Sequence, residues 1–99
     1  MTVRVVLPYP LQVLAHADAE VTLDVAGNVT PGSILDALEA RYPALRGTIR
    51  DPVTGTRRPY LRYYACLQDF SLADPDAPLP AEVAHGTEPF IILASIAGG

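Results

Sequence analysis

The chain has 99 residues, of which 49% are hydrophobic and 18% charged, and its formal net charge is −4. A chain of this length forms one domain around a single core, and the composition is that of a folded protein and not of a disordered one. No run of eighteen apolar residues occurs, which excludes a candidate membrane span. The acidic balance disfavours nucleic acid as a partner.

Charge falls into three blocks along the chain. Residues 1–40 carry one arginine against five acidic residues, and residues 63–99 carry five acidic residues and no base. Residues 41–62, in contrast, carry six arginines against Asp51. Because no aromatic residues are placed among these arginines for base stacking, we interpret the basic block as a solvated face or a docking face for an acidic protein.

Cysteine occurs once, as Cys66, so the chain can form no internal disulfide. The first residues lack the basic and apolar regions of a signal peptide. We therefore expect a reducing, cytoplasmic location. There is no lysine, which excludes chains of this domain linked through its own side-chain amines.

The first third of the chain predicts two strands. Apolar residues alternate with other residues over residues 3–7, where Pro8 and Pro10 end the pattern, and again over residues 20–25. Strands that bury one face and expose the other to solvent are typical of antiparallel sheets, so we expect these two strands to form an antiparallel pair. Three apolar residues of the intervening loop are expected to lie beneath the edge of the core without forming an element: Leu11, Val13 and Leu14.

A helix is predicted over residues 31–42. Thr30 is a suitable N-cap, and Pro31 suits the first helical position because its missing N–H is not needed there. Pro43 ends the helix by disfavouring helical geometry at the residue before it. Four apolar or aromatic residues recur at helical spacing: Ile34, Leu35, Leu38 and Tyr42.

The second half of the chain predicts two further strands. Residues 46–60 form a turn-rich connection, and the aromatic-rich residues 60–67 a third strand. Residues 69–80 are a loop, with a short turn near residues 79–83. Residues 90–96 form a last strand that is almost wholly apolar. Either both faces of this strand are buried within the protein, or one face is buried and the other binds a partner.

This order of elements predicts an α+β, β-grasp (ubiquitin-like) fold. A strand as apolar as the last one belongs at the sheet centre, parallel to the first, with a helical crossover through residues 26–60. We expect a mixed sheet of four to five strands with one main helix packed on one face. Residues 1–99 would form a single domain, with residues 97–99 as an exposed, flexible tail.

The last residues, Ala97-Gly98-Gly99, indicate a chemical function for the end of the chain. Glycine has no Cβ, so such a tail can enter a narrow channel, and four extended residues reach ~13–14 Å. A chain-terminal carboxylate ordinarily has a pKa of about 3.3–3.7 and is a poor electrophile until it is activated. We therefore interpret the protein as a carrier or substrate for a partner enzyme, and not as an enzyme itself.

Several segments resemble the MoaD/ThiS family of bacterial sulfur carriers, which are relatives of ubiquitin. The resemblance covers nearly the full length. It lies in the apolar first strand, in residues 30–39 with Arg41-Tyr42-Pro43-Ala44-Leu45, in residues 76–79 and in residues 92–99. It implies that an E1-like adenylyltransferase activates Gly99 with ATP and Mg²⁺. A sulfurtransferase or sulfide would then supply sulfur, and the thiocarboxylate would deliver it to an acceptor synthase.

The resemblance also implies roles for individual residues. Gly99 is the acyl-adenylate and thiocarboxylate terminus, and no catalytic side chain, bound cofactor or metal is expected in the carrier. Three residues form the part of the tail that enters the partner's active site: Ile96, Ala97 and Gly98. Three others form a candidate docking surface for partner proteins: Phe70, Leu93 and Ser95.

Three departures from the family pattern leave the acceptor open. Residues 67–70 replace an Asn-Gly type of hairpin, residues 85–89 replace an acidic entry to the last strand, and residues 94–96 replace a Pro-Ala-Val pattern. The insert at residues 51–60 resembles the carrier of one cysteine-biosynthesis route. Molybdopterin, thiazole, cysteine, tRNA thiolation and a specialised metabolite all remain as destinations.

Other functions also remain open. The chain could be the small subunit of molybdopterin synthase specifically, or a binding subunit whose tail enters a synthase without being charged. It could also be a ubiquitin-like modifier joined through Gly99 to lysines of other proteins.

The remaining reactive residue types favour structural roles. A lone Cys66 in an apolar strand is expected to be a small core residue. His16 and His85 lie in separate loops without a third ligand at metal spacing, and the acids of residues 69–76 lack the spacing of a calcium loop. Three aromatic residues are expected to fill the core first and to contact partners second: Tyr63, Tyr64 and Phe70.

Overall fold

Five strands form one mixed sheet in the computed structural model, which describes residues 1–95. The elements in chain order are β1 (Thr2–Val6), α1 (Tyr9–Ala15), β2 (Glu20–Asp24), α2 (Pro31–Arg41), a 3₁₀ turn (Pro43–Leu45), β3 (Leu61–Ala65), β4 (Gln68–Asp69), α3 (Ala81–Ala84) and β5 (Phe90–Ala94). The strands lie side by side in the order β2-β1-β5-β3-β4. β1 is antiparallel to β2 and parallel to β5, and β3 is antiparallel to β5. The predicted β-grasp arrangement, with the last strand central and parallel to the first, is therefore confirmed.

One face of the sheet is buried because apolar and polar residues alternate along its strands. On β2, Val21 and Leu23 are buried, whereas Thr22 and Asp24 face water. The same alternation buries every second residue of β1, of β3 and of β5 as far as Ile92, and these side chains form one cluster with the apolar face of α2. The fully buried members of the cluster include Val3, Val5, Ile34, Leu38, Phe90 and Ile92.

Helix α2 begins where the sequence predicts. The Thr30 side chain accepts a hydrogen bond from the Ser33 backbone N–H at 3.0 Å, and the Ser33 hydroxyl accepts one from the Thr30 N–H at 2.8 Å. This reciprocal capping box satisfies two donors that the first turn would otherwise leave free. The helix ends at Arg41, and Tyr42 is its C-cap before Pro43.

The prediction of a loop without an element between β1 and β2 is wrong, because this segment contains helix α1. Pro8 is the N-cap and Pro10 lies in the first turn, where a missing N–H removes no helical hydrogen bond. The two prolines therefore end the strand and begin a helix. Of the three apolar residues expected beneath the core, only Leu11 is buried. Two remain exposed: Val13 at 55% and Leu14 at 45%.

β4 is a short strand that the sequence did not indicate. Cys66 and Leu67 both adopt positive φ, 51° and 62°, and form a two-residue turn that pairs Tyr64 with Asp69. Such turns match the twist of a hairpin and are usually made by Asn-Gly or similar pairs. Here a hairpin forms without that signal, at the place where the sequence departs from the family pattern.

The connections hold the remaining core residues. Residues 46–60 contain no named strand or helix, as predicted, and Ile49 anchors them in the core. The turn expected near residues 79–83 is the helix α3, which buries Val83 completely. Within residues 1–95 the longest helix, α2, has eleven residues, and none is long and apolar enough to cross a membrane.

Candidate functional site

The exposed end of the central strand is the first part of the candidate site. β5 begins buried at Phe90, and its last two residues are exposed, Leu93 at 45% and then Ala94; Ser95, also exposed, follows the strand. The Ser95 backbone N–H donates to the Tyr60 carbonyl at 2.6 Å. Main-chain bonding therefore holds the chain to the sheet as far as the last described residue. The predicted acyl terminus and tail, residues 96–99, lie outside the described residues.

The sheet face opposite α2 forms the second part of the site. Ile91 of β5 lies opposite Val6 of β1 on one side and Tyr64 of β3 on the other. These three side chains are half-buried, and Leu93 follows two positions along the same face. We name this surface, formed by Val6, Tyr64, Ile91 and Leu93, the open face. It is an apolar strip that leads to the end of β5.

Charged residues border the open face. Arg62 lies opposite Leu93 and is exposed, and it forms no ion pair with any of residues 1–95. On the other side, Arg4 pairs with Glu20 at 2.9 Å, and this hydrogen bond lowers the pKa of the Glu20 carboxyl. The charge opposite Leu93 is therefore positive and has no ion-pair partner among residues 1–95, which favours a partner surface with acidic groups.

Asp69 lies beyond Tyr64 at the β4 edge of the same face. The hydroxyl and the backbone N–H of Ser71 hold the pKa of the Asp69 carboxyl below its usual range. The carboxylate accepts the Ser71 N–H at 2.7 Å and thereby shapes the turn after β4. Asp69 is the last residue of β4, and its prediction as a loop acid is therefore wrong.

The structure brings together two of the three residues that were predicted to form a docking surface. Leu93 lies on the open face and Ser95 follows it at the exposed end of the strand. Phe70 lies on the opposite face, because its N–H bonds to the Tyr63 carbonyl at 2.7 Å and places it in register with that buried residue. Phe70 packs half-buried against the core.

The alternation of buried and outward-facing residues along β1 and β5 is the sequence signal that could have identified Val6 and Ile91 as members of the open face. Val6 is the outward neighbour of buried Val5, and Ile91 lies between Phe90 and Ile92, which are both buried. Sequence reasoning treated β5 as apolar on both sides and did not assign its faces. Only the strand register shows that these residues lie together.

Cys66 occupies a turn and not the strand position that was predicted. It is half-buried against the core at positive φ. Burial, with the nearby charges of Glu82 and Glu88, raises the pKa of its thiol. Since the thiolate is the nucleophilic form, Cys66 is not placed for sulfur chemistry at neutral pH.

The histidines are separated by the fold. His16 is the C-cap of α1 and His85 the C-cap of α3. No group of three metal-ligating side chains occurs in the part of the chain that the structure describes.

Much of the basic block is used inside the molecule. Arg50 bonds to Glu39 at 2.9 Å and to Asp36 at 2.6 Å. Burial alone would lower the pKa of Arg50, but these two carboxylates outweigh it and raise the pKa. Arg57 and Arg58 donate to backbone carbonyls. The block is therefore not one solvated face, because half of its arginines fasten the connection between α2 and β3.

Comparison with known proteins identifies the fold. No protein-family model and no curated protein sequence matches the chain. Among solved structures, SAMP1 from Haloferax volcanii is similar over 100% of both chains, with 22% identity and a TM-score of 0.76. A chain of the Amycolatopsis orientalis BexX/CysO complex is 18% identical, with a TM-score of 0.72 over 97% of this chain and 98% of that one.

Small archaeal modifier protein 1 from Methanosarcina acetivorans is 19% identical, with a TM-score of 0.71 over 99% of this chain and 96% of that one. These likenesses over whole chains agree with the order and direction of the strands described above. The chain therefore has the β-grasp, ubiquitin-like fold, and the resemblance predicted from its sequence is confirmed at the level of that fold.

Proposed function

We propose that this protein is a sulfur carrier that is charged at the carboxylate of Gly99. An E1-like adenylyltransferase joins that carboxylate to AMP, using ATP and Mg²⁺ that the enzyme binds, and releases pyrophosphate. Hydrosulfide, or a persulfide on a sulfurtransferase, attacks the acyl carbon and displaces AMP. With hydrosulfide the product is the thiocarboxylate directly. With a persulfide the product is an acyl disulfide, which a thiol cleaves to the thiocarboxylate while it forms a disulfide with the cysteine of the sulfurtransferase. The thiocarboxylate then supplies sulfur to an acceptor synthase in the cytoplasm.

The observation that carries this proposal is the position of the end of β5. The strand is central, yet its last residues are exposed, and Ser95 is hydrogen-bonded to Tyr60 at that point. Four residues follow, and the last two are glycines. A sheet surface next to a short segment that ends in glycines suits a carrier, because a partner enzyme can bind the sheet while it reacts with the terminus.

The open face supports docking of the activating and acceptor enzymes. Its apolar strip is contiguous with the end of β5, and its neighbouring Arg62 has no partner among the described residues. One of the similar structures is itself a complex, that of BexX with CysO. We infer that partner enzymes cover Leu93 and its neighbours when they receive the tail.

Charging can be tested by intact-mass spectrometry. The chain is incubated with a cognate E1-like enzyme, ATP, Mg²⁺ and sulfide, and we expect one oxygen to be replaced by sulfur. A variant extended by one residue after Gly99 should show no replacement, because the activated carbonyl would no longer be terminal. If the native chain gains no sulfur while the same enzyme charges a second carrier protein under the same conditions, the proposal is refuted.

Docking can be tested separately from charging. Leu93→Asp places a charge in the open face, whereas Val53→Asp makes a similar change at a side chain that is 90% exposed in the 46–60 connection. We expect the Leu93 variant to slow adenylation, measured by ATP–pyrophosphate exchange, by at least about tenfold, because it removes apolar contact surface and neutralises the Arg62 charge opposite it, which would otherwise meet acidic groups of the partner. Equal adenylation rates for the two variants would show that the activating enzyme does not bind the open face at Leu93.

A second function, protein modification through Gly99, is favoured by one observation. Two of the similar proteins above are SAMP1, the small archaeal modifier protein 1. Immunoblots of cells that express the tagged chain would then show covalent adducts that disappear when residues 98–99 are deleted. Mass spectrometry of the adducts would locate an isopeptide bond from Gly99 to lysines of other proteins. Absence of adducts under conditions that charge the chain with sulfur would limit it to the carrier function.

A further inference from the structure

A groove of about 310 Å³ lies on the helix side of the sheet, away from the open face. It is bounded by the first turn of α2, by residues 54–57 and by residues 71–75. Leu35 and Leu72 contribute apolar surface to it, and Arg57 and Tyr63 contribute polar groups. We name this feature the α2 groove. Its volume is at the lower end of the range for small-molecule sites.

Arg57 brings an unbalanced positive charge to the groove. Its Nε donates to the Ser71 carbonyl at 2.8 Å and its Nη1 donates to the Leu61 carbonyl, so that backbone contacts fix the guanidinium in place. Within residues 1–95 no carboxylate forms an ion pair with Arg57, and its Nη2 has no hydrogen-bond partner there. The other arginine of the groove, Arg50, bonds to two carboxylates, those of Glu39 and Asp36.

Tyr63 brings a buried hydroxyl without a partner. The side chain is 5% exposed, its ring packs against Phe90 at 5.3 Å, and its hydroxyl makes no hydrogen bond with residues 1–95. No fully enclosed side-chain polar atom in that range lacks a partner, so this hydroxyl is not fully enclosed, and Tyr63 is one of the residues that line the groove. Burial raises the pKa of Tyr63 to about 12, which keeps its proton available for donation.

We propose that the α2 groove binds a small organic carboxylate. The Arg57 guanidinium and the Tyr63 hydroxyl both donate hydrogen bonds, and a carboxylate accepts them and also balances the Arg57 charge. The apolar surface of Leu35 and Leu72 fits the hydrocarbon part of such an acid. A polyphosphate nucleotide is disfavoured because of the small volume and the single unbalanced charge.

Binding can be measured by NMR titration of the isotope-labelled full chain with sodium benzoate at constant ionic strength. Benzamide, which has the same shape without the charge, is the matched control ligand. We expect saturable shifts at the amides of Gly32, Thr56 and Ala73, with a Kd on the order of 1 mM for benzoate and roughly tenfold weaker binding for benzamide. No saturable shift, or equal binding of the two ligands, would overturn the proposal.

Two variants test the contacts without removing the structural bonds of Arg57. Tyr63→Phe deletes only the hydroxyl and should weaken benzoate binding roughly fivefold. Leu72→Glu places a negative charge at an exposed rim position, and Leu67→Glu places the same charge at an exposed position outside the groove lining. Only the Leu72 change should weaken benzoate binding. Unchanged affinity in Tyr63→Phe, or equal losses in the two glutamate variants, would refute the assigned site.

Discussion

Replacement of Leu67 by glycine is expected to stabilise the protein, although it removes a large apolar side chain. Leu67 has φ of 62° and is fully exposed, so its side chain contributes no burial that could be lost. The left-handed conformation costs an L-residue about 1–2 kcal/mol, and glycine avoids that cost. The greater freedom of glycine in the unfolded chain costs about 0.5–1 kcal/mol. Subtracting the two ranges leaves a net gain of about 0–1.5 kcal/mol, with a central value of about 0.75 kcal/mol.

Thermal unfolding followed by circular dichroism should detect this gain as a rise in Tm of about 2–8 °C for a chain of this length. Val53→Gly is the matched control, because Val53 is also exposed but has no positive φ, and its Tm should fall. If Leu67→Gly lowers the Tm as much as Val53→Gly does, the β3–β4 turn is not strained in the way that its dihedral angles indicate.

Three further substitutions test other contacts. Thr30→Ala removes the cap of α2 and should reduce the free energy of unfolding by about 1 kcal/mol in urea denaturation, whereas Thr30→Ser should retain most of it. Glu39→Gln removes the inner partner of Arg50 and should cost about 1–2 kcal/mol, less than in a fully buried pair because Asp36 remains. A loss no larger than that of Asp36→Asn would contradict this ranking. Tyr63 has an ordinary pKa of 10.0 and a folded-state pKa of about 12. The contribution of its hydroxyl to the free energy of unfolding is therefore complete below pH 10 and is lost as the pH rises to about 12. The stability difference between the native chain and Tyr63→Phe should therefore change over that interval, by at most ~1.4 kcal/mol per pH unit, and a constant difference would show that burial does not perturb this hydroxyl.

Local patterns predicted the elements whose signals lie within a few residues. The cap at Thr30, the first-turn Pro31 and the terminating Pro43 placed α2 correctly. Period-two alternation placed β1 and β2, and the apolar run placed β5 at the sheet centre. Helix α1 was not predicted, because Pro8 and Pro10 can indicate the end of a strand as well as the start of a helix. β4 was missed because neither Cys66 nor Leu67 is a usual turn residue, and the pairing of β3 with β4 imposes their conformation.

The candidate site was predicted in part. Leu93 and Ser95 were assigned to a docking surface and lie at the exposed end of β5, whereas Phe70 lies on the other face of the sheet. That division depends on register, since a shift of one residue moves a side chain to the opposite face. The register of β3 with β4 cannot be deduced from composition.

The sequence by itself determined the β-grasp order of elements, because alternation and capping are local properties of the chain. Only the tertiary structure decided which charges are balanced. Arg50 is paired with carboxylates 11 and 14 residues away, while Arg57 is fixed by the carbonyl of Ser71 and has no carboxylate among residues 1–95. The two arginines look alike in the sequence, and they differ because electrostatic partners are chosen by distance in space. The open face and the α2 groove arise from the same kind of long-range placement.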